Sequence, residues 1–426
     1  MMKSSLYRQI WKSAWSLALA ATVFLLCLFP YRALMNYHEQ THLFRWNGYY
    51  LSEQFGSIDG AWEYIVSFVT QFFYIGWLGA AVMAVIGVGL QLLVWMIMNL
   101  CRLRWVWLYP LSVIPSALAF FYVFIPHEYT SDEQFREVVT YDYLVRAQKW
   151  KSILAYSYKH EPQTMCGIWC TNYALAKRGA LLNDMFLYKQ DSPDGLLMDA
   201  VRMDPMTLYS LSDISLDLGM INSAERFAFD AKQRLPHGHK SGRLYKRLAE
   251  TNLINGHEKV ARKYQQMLQS TLFYRNSGDI DIEHYRSLRQ KSNDELAQAK
   301  GQILAQLAKE NPQNKLAADY LLAYEMLRLD LEHLTEYTLM LRQRDNWQLT
   351  PKAVQEAVIG YWILKHPNDS LPFAVNGDLF NNTAFILKEV QTSGDMAPSS
   401  IENTPYRESY WYYHTKALIK LKQLHK

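Results

Sequence analysis

Residues 65–98 are 34 consecutive positions without a single Asp, Glu, Lys, Arg or His. A helix of that length reaches about 50 Å, well beyond the ~30 Å apolar core of a bilayer. Two spans and a turn need about 40 residues, so the spacing predicts one long, tilted or protruding span. Two other stretches, 14–34 and 105–125, are also apolar enough to cross a membrane. The third contains Pro110 and Pro115, which break a water-exposed helix but are tolerated where neighbouring helices satisfy the freed backbone groups. In the second run Gly76, Ala80 and Ala84 recur every four residues, a small-residue face that lets another helix approach closely. Its occupant is either the other two spans or a separate membrane subunit.

Charge is segregated along the chain. The first 125 residues hold only seven of the 44 Lys and Arg and four of the 40 Asp and Glu. No small-x-small cleavage pattern follows the first apolar run, which therefore reads as an uncleaved anchor. Lys3, Arg8 and Lys12 precede it, and Arg102 and Arg104 fill the turn between runs two and three. The loop 31–60 holds only Arg32 and Arg45. By the positive-inside rule this predicts a multi-pass protein of the cytoplasmic (inner) membrane, with the N-terminus cytoplasmic and the C-terminal region extracytoplasmic, or periplasmic. Two spans within 65–98 would invert that placement. The net charge of +4 is small for 426 residues and is concentrated around the apolar runs, which argues against nucleic acid as a partner.

From Tyr129 onward the pattern becomes that of amphipathic helices with short connections. In 205–238, Leu218-Gly219 is followed by Ala224, Ala231 and Pro236. In 242–275, Leu248 is followed by Gly256 and Ala261. Gly219 and Gly256 are 37 residues apart, close to the tetratricopeptide period of about 34. Such hairpins need neighbours to bury their apolar faces, which predicts a stacked solenoid. More degenerate hairpins are expected around Gly179, and at 315–344, 351–365 and 378–391, with a capping helix at 405–424. The stretch from 282 to 311 reads as one longer helix. The predicted fold is thus all-α, with a three-helix transmembrane region at 1–128 and a tetratricopeptide-like α-solenoid at 129–426.

The runs "LGMINSAERFAFDA", "RLYKRLAETNLINGHEKVARKYQQMLQSTLFYRN" and "EQTHLFRWNGYYLSEQFGSIDGAWEYIVSFVTQFFYIGWLGA" carry a resemblance over most of the chain. They resemble an uncharacterised family of bacterial integral membrane proteins that couple membrane spans to a tetratricopeptide-like C-terminal region. The resemblance implies an architecture and brings no known activity.

Three motifs bear on chemistry. His38, Glu39 and His42 form an HExxH, which on a helix sets two imidazoles on one face for zinc and a glutamate to polarise water. Glu63 offers a third ligand. The loop between the first two spans is too short for the sheet and cleft of a zinc protease, so the preferred reading is an interfacial loop anchored by Trp46, Tyr49 and Tyr50. A zinc metallohydrolase stands as the alternative. The second motif is basic: Arg243, Lys246 and Arg247 on one helix of the repeat around Gly256, and Lys259, Arg262 and Lys263 on the next. First helices line the concave surface of such stacks, where cations hold carboxylates of a peptide. The third, His237-Gly238-His239, reads as an inter-repeat loop. Cys166 and Cys170 share a helix face, with core packing, a disulfide and metal binding all open. No cofactor fingerprint is present. The expected role is a scaffold or adaptor that binds an envelope protein or peptide; an envelope enzyme and an accessory subunit of a membrane transporter are the alternatives.

Overall fold

The computed structural model describes residues 2–56, 60–103, 105–197, 203–276, 281–289, 299–344, 350–393, 401–402 and 404–424. Among them all regular structure is helical. Three helices are long and apolar enough to cross a membrane: Leu6–Leu28, Gly76–Leu100 and Val106–Phe124. The second is shorter than its sequence implies. A helix Gly60–Thr70 and a tight 3-10 turn Gln71–Tyr74 precede it, and the extended backbone of Ile75 separates them from Gly76–Leu100. The apolar run 65–98 is therefore one candidate span preceded by a short helix. Pro110 falls in a 3-10 stretch, Val106–Ser112, where its missing N–H costs less than in an α-helix, and Pro115 lies in the first turn of Val113–Phe124. Arg104 lies outside the described residues.

Two compact units are present, each built from several segments. The first gathers Met1–Tyr143, Ala231–Asn252 and His257–Ile280; the second gathers Leu144–Asp230, Leu253–Gly256 and Asp281–Lys426.

In the first unit one apolar cluster joins Leu19, Val23 and Cys27 to Ala80, Met83 and Ala84, and to Phe120, Phe124 and Val139. Ala80 has no exposed surface and Ala84 is buried. At Gly79 a Cβ would fall 2.6 Å from Met35 and 2.9 Å from the backbone of Phe73, and at Gly76 2.8 Å from Arg32. At Ala80 and Ala84 the small-residue face is thus packed against this chain's own helices. A polar clasp adds to it: Ser16 donates to Gln91 at 3.0 Å and shares a 2.7 Å hydrogen bond with Tyr109. Such bonds link helices where water is absent. The opposite faces are apolar and open, with Leu17, Val85 and Leu118 each more than 60 % exposed, as lipid contact requires.

Hairpins dominate the second unit. Pro205–Leu218 starts on an Asp204 side-chain cap and ends at Gly219, whose φ of +87° is left-handed. A Cβ there would also sit 2.3 Å from the carbonyl oxygen of Leu288, so only glycine fits. The next helix, Ile221–Arg234, returns from that turn. Further on, Lys315–Arg328 closes with Leu329 at φ +63°. Leucine there performs the turn that glycine performs at 219, at some cost in backbone strain. In the core Trp169, Leu208, Tyr320, Leu321, Val358 and Trp411 are all but fully enclosed. The final helix, Tyr410–Leu424, docks through Trp411, whose indole donates to the Glu356 carbonyl at 3.1 Å.

One expectation needs correction, and one open alternative is removed. The stretch 282–311 is not one helix, because Ile282–Leu288 stops at an extended Arg289 and a separate helix, Lys300–Glu310, follows. Cys166 and Cys170 form no disulfide; both are buried free thiols with sulfurs 3.9 Å apart, against about 2.05 Å for a bond.

Asp319 is 4 % exposed, with Lys315 at 3.2 Å. Burial pushes its carboxyl up to about 6 from 3.8, and Lys315 only partly opposes this. A carboxylate raised on folding adds stability below its unfolded value and loses it as pH climbs through the folded one. Asp319→Asn should therefore raise Tm at pH 7.5 and leave it nearly unchanged at pH 3.5; thermal melts at the two pH values check this.

Candidate functional site

The chemistry-bearing residues of the first unit converge around the helix Arg32–Thr41. This helix is buried along one face: Asn36, Glu39, Gln40 and Thr41 are each under 5 % exposed. Polar side chains at such depth need partners. Gln40 donates to Asp142 Oδ2 at 2.7 Å, and Asn36 donates to the same oxygen at 3.4 Å. Arg243 then donates to Asp142 Oδ1 at 2.8 Å and to the Gln40 side-chain oxygen. Asp142 is 1 % exposed and Arg243 9 %. Beside them Glu39 Oε1 accepts from the Tyr274 hydroxyl at 2.7 Å. Tyr274 lies across Gly242, where a Cβ would come within 2.4–2.8 Å of its ring.

These contacts relocate the basic set. Arg243 does not line an open surface; it is the cation of a buried network. Arg247 pairs with Glu250 at 3.3 Å and its side chain is 15 % exposed, while Lys246 lies 3.7 Å from Glu250 with 42 % exposure. On the following helix, Glu258–Gln269, Lys259, Arg262 and Lys263 are exposed. The open cationic face thus lies mainly on the second helix of the hairpin. Its first helix turns inward because Arg243 meets a buried carboxylate.

The HExxH does not assemble as a zinc-protease site. The helix ends at Thr41 and His42 is extended, φ −129° and ψ 126°, which breaks the one-turn register between the two imidazoles. Their ring centres are 6.4 Å apart. His38 Nε2 bonds the Phe124 carbonyl at 2.9 Å, and Glu39 is held by Tyr274. The segment is a loop only over 42–47, between the helices Arg32–Thr41 and Gly48–Gln54. Of the expected anchors, Trp46 and Tyr49 are exposed, but Tyr50 is buried against Phe44 and Tyr64.

His42 instead meets residues far away in sequence. Its Nε2 lies 3.9 Å from Glu63 Oε2, and the same oxygen lies 3.2 Å from His239 Nε2. The two imidazole centres are 4.6 Å apart. His42 Nδ1 bonds the His38 carbonyl at 3.0 Å, so this nitrogen carries the proton and Nε2 presents its lone pair. Burial, reinforced by His239, lowers the His42 pKa to about 4, and the ring is neutral at physiological pH. Glu63 comes from the first turn of Gly60–Thr70, and His239 follows the turn Pro236–Gly238. Within the described residues, this trio is the group of three or more His, Cys, Asp or Glu side chains placed to hold a metal, with ligand atoms within 4.8 Å of one another. The sequence joins Glu63 to His42 as an offered third ligand of the HExxH, but nothing in its spacing joins His239, read there as part of an inter-repeat loop, to the pair. The side chain of His237 lies outside the described residues.

The pattern of a family of unknown function, DUF6057, matches residues 6–129 and 122–417. The chain belongs to the DUF6057 family. No curated protein and no solved structure matches it. The family match spans both the apolar helices and the hairpins, so the two parts are one family architecture.

Removing one partner of a buried ion pair leaves the other charge stranded, typically at ~3–5 kcal/mol. Asp142→Ala and Arg243→Ala should each destabilise the first unit by that order, and the double variant should cost less than the two together; thermal unfolding in detergent measures this cycle. Gly242→Ala should cost about 1–3 kcal/mol by overpacking against Tyr274, whereas Lys246→Ala should stay within about 0.5 kcal/mol.

Proposed function

We propose that this chain is a membrane-anchored scaffold or adaptor that holds an envelope protein or peptide through the hairpin 242–269 and the tetratricopeptide-like repeats around it. The observation that carries this reading is the Asp142–Arg243–Gln40 network. It fixes the hairpin to the helix that follows the first candidate span, so the exposed Lys259, Arg262 and Lys263 are held at a set position relative to the apolar helices. Lys259 and Lys263, one turn apart, beside Arg262, which also pairs with Glu258 at 3.1 Å, suit acidic side chains or a terminal carboxylate. The ligand is thus of opposite charge, and weak individual contacts gain from rigid presentation.

On the positive-inside rule, Lys3, Arg8, Lys12, Arg102 and Arg104 put the N-terminus in the cytoplasm and the hairpin outside it, in the inner membrane of a bacterial envelope. A zinc protease built on His38, Glu39 and His42 is not part of the proposal, since His38 and Glu39 are engaged elsewhere.

Photo-crosslinkers at Lys259 and Lys263 should yield a discrete protein or peptide adduct in intact cells, which charge reversal at Arg262 abolishes. Recovery of a polytopic transport protein instead would favour the accessory-subunit reading, and the absence of any adduct would sink both. Separately, an alkaline phosphatase fusion after Tyr129 should be active and a green fluorescent protein fusion there dark; the reverse pattern inverts the orientation.

A further inference from the structure

We infer that His42, Glu63 and His239 bind one divalent transition-metal ion of the zinc type, leaving one coordination position open. This goes beyond the adaptor reading and does not depend on it. Three observations converge. Two imidazole nitrogens and one carboxylate oxygen lie within 4.8 Å of one another, the two closest 3.2 Å apart. A tetrahedral zinc with bonds of about 2.0–2.1 Å spaces its ligand atoms about 3.3 Å apart, so side-chain rotation of about 1.5 Å or less closes the set. The second observation is the orienting bond. His42 gives its Nδ1 proton to the His38 carbonyl, and this is how proteins fix the tautomer and direction of a metal-ligating imidazole.

The third is the donor set. Glu63 Oε2 lies between two imidazole nitrogens whose side chains are only 13 % and 15 % exposed. A set of two nitrogens and one oxygen suits Zn²⁺, Co²⁺ or Ni²⁺; Ca²⁺ and Mg²⁺ prefer oxygen throughout. Glu63 is about one-third exposed, so water or an incoming ligand can take the fourth position. The ion would also clip the turn before helix Gly242–Ile254 to the segment after the first candidate span, close to the Asp142–Arg243 pair.

The test uses the full chain in detergent, without a polyhistidine tag, stripped with chelator and titrated with Zn²⁺ against a chromophoric competitor. We expect one equivalent bound with sub-micromolar affinity, at least ten-fold weaker in Glu63→Gln and in His239→Gln, and unchanged in His257→Ala, a surface histidine outside the trio. Co²⁺ added to the wild type should give the intense visible bands of four-coordinate geometry, a readout that needs no variant to fold. Failure of the wild type to bind Zn²⁺, wild-type affinity in both ligand variants, or the weak bands of six-coordinate Co²⁺ would each overturn the inference.

Discussion

A carboxylate that is 1 % exposed demands a cation, and in the first unit Asp142 receives Arg243 from a hundred residues further along the chain. The pair is closed by Gln40, which donates to one Asp142 oxygen while accepting from Arg243. Neither charge can leave without stranding the other in a low-dielectric interior, so three remote segments are locked in one register. Much else follows from that register. Tyr274 reaches Glu39, Gly242 must remain small beneath Tyr274, and His239, three residues before Gly242, arrives beside His42 and Glu63. The division of the chain into units has the same cause: residues 231–252 and 257–280 belong with the apolar helices because their polar anchors are there.

The network also explains why a single helix can carry two kinds of basic residue. On Gly242–Ile254, Arg243 serves the interior, Arg247 turns to Glu250, and Lys246 remains largely in solvent. Helical spacing puts Arg243 and Arg247 one turn apart on this helix. Which way the face points depends on what is packed against it. One guanidinium nitrogen of Arg243, Nη1, donates to both Asp142 and Gln40.

The apolar helices were the most legible part of the sequence, because the bilayer constraint acts on composition and length, and both are local. Their boundaries were less so. No charge or proline announces the break at 71–75, where the 3-10 turn Gln71–Tyr74 and the extended Ile75 separate Gly60–Thr70 from Gly76–Leu100. The hairpins at Gly219 and Gly256 were visible because a left-handed turn selects glycine. The equivalent turn at Leu329 was invisible, since a leucine there accepts a strain that its neighbours maintain. The HExxH misled for a related reason: its spacing presumes a helix through His42, and the helix stops one residue earlier.

The sequence by itself determined an all-helical chain with three stretches fit for a membrane and a series of helical hairpins beyond them. Periodicity, charge segregation and turn glycines are encoded over windows of tens of residues, and physics reads them without knowing what lies opposite. Only the tertiary structure decided that Arg243 is internal, that Ala80 and Ala84 pack against this chain's own helices, and that His42, Glu63 and His239 share one place. Those outcomes depend on which surfaces meet across separations of up to about two hundred residues, as between His42 and His239, and no local pattern records such a meeting.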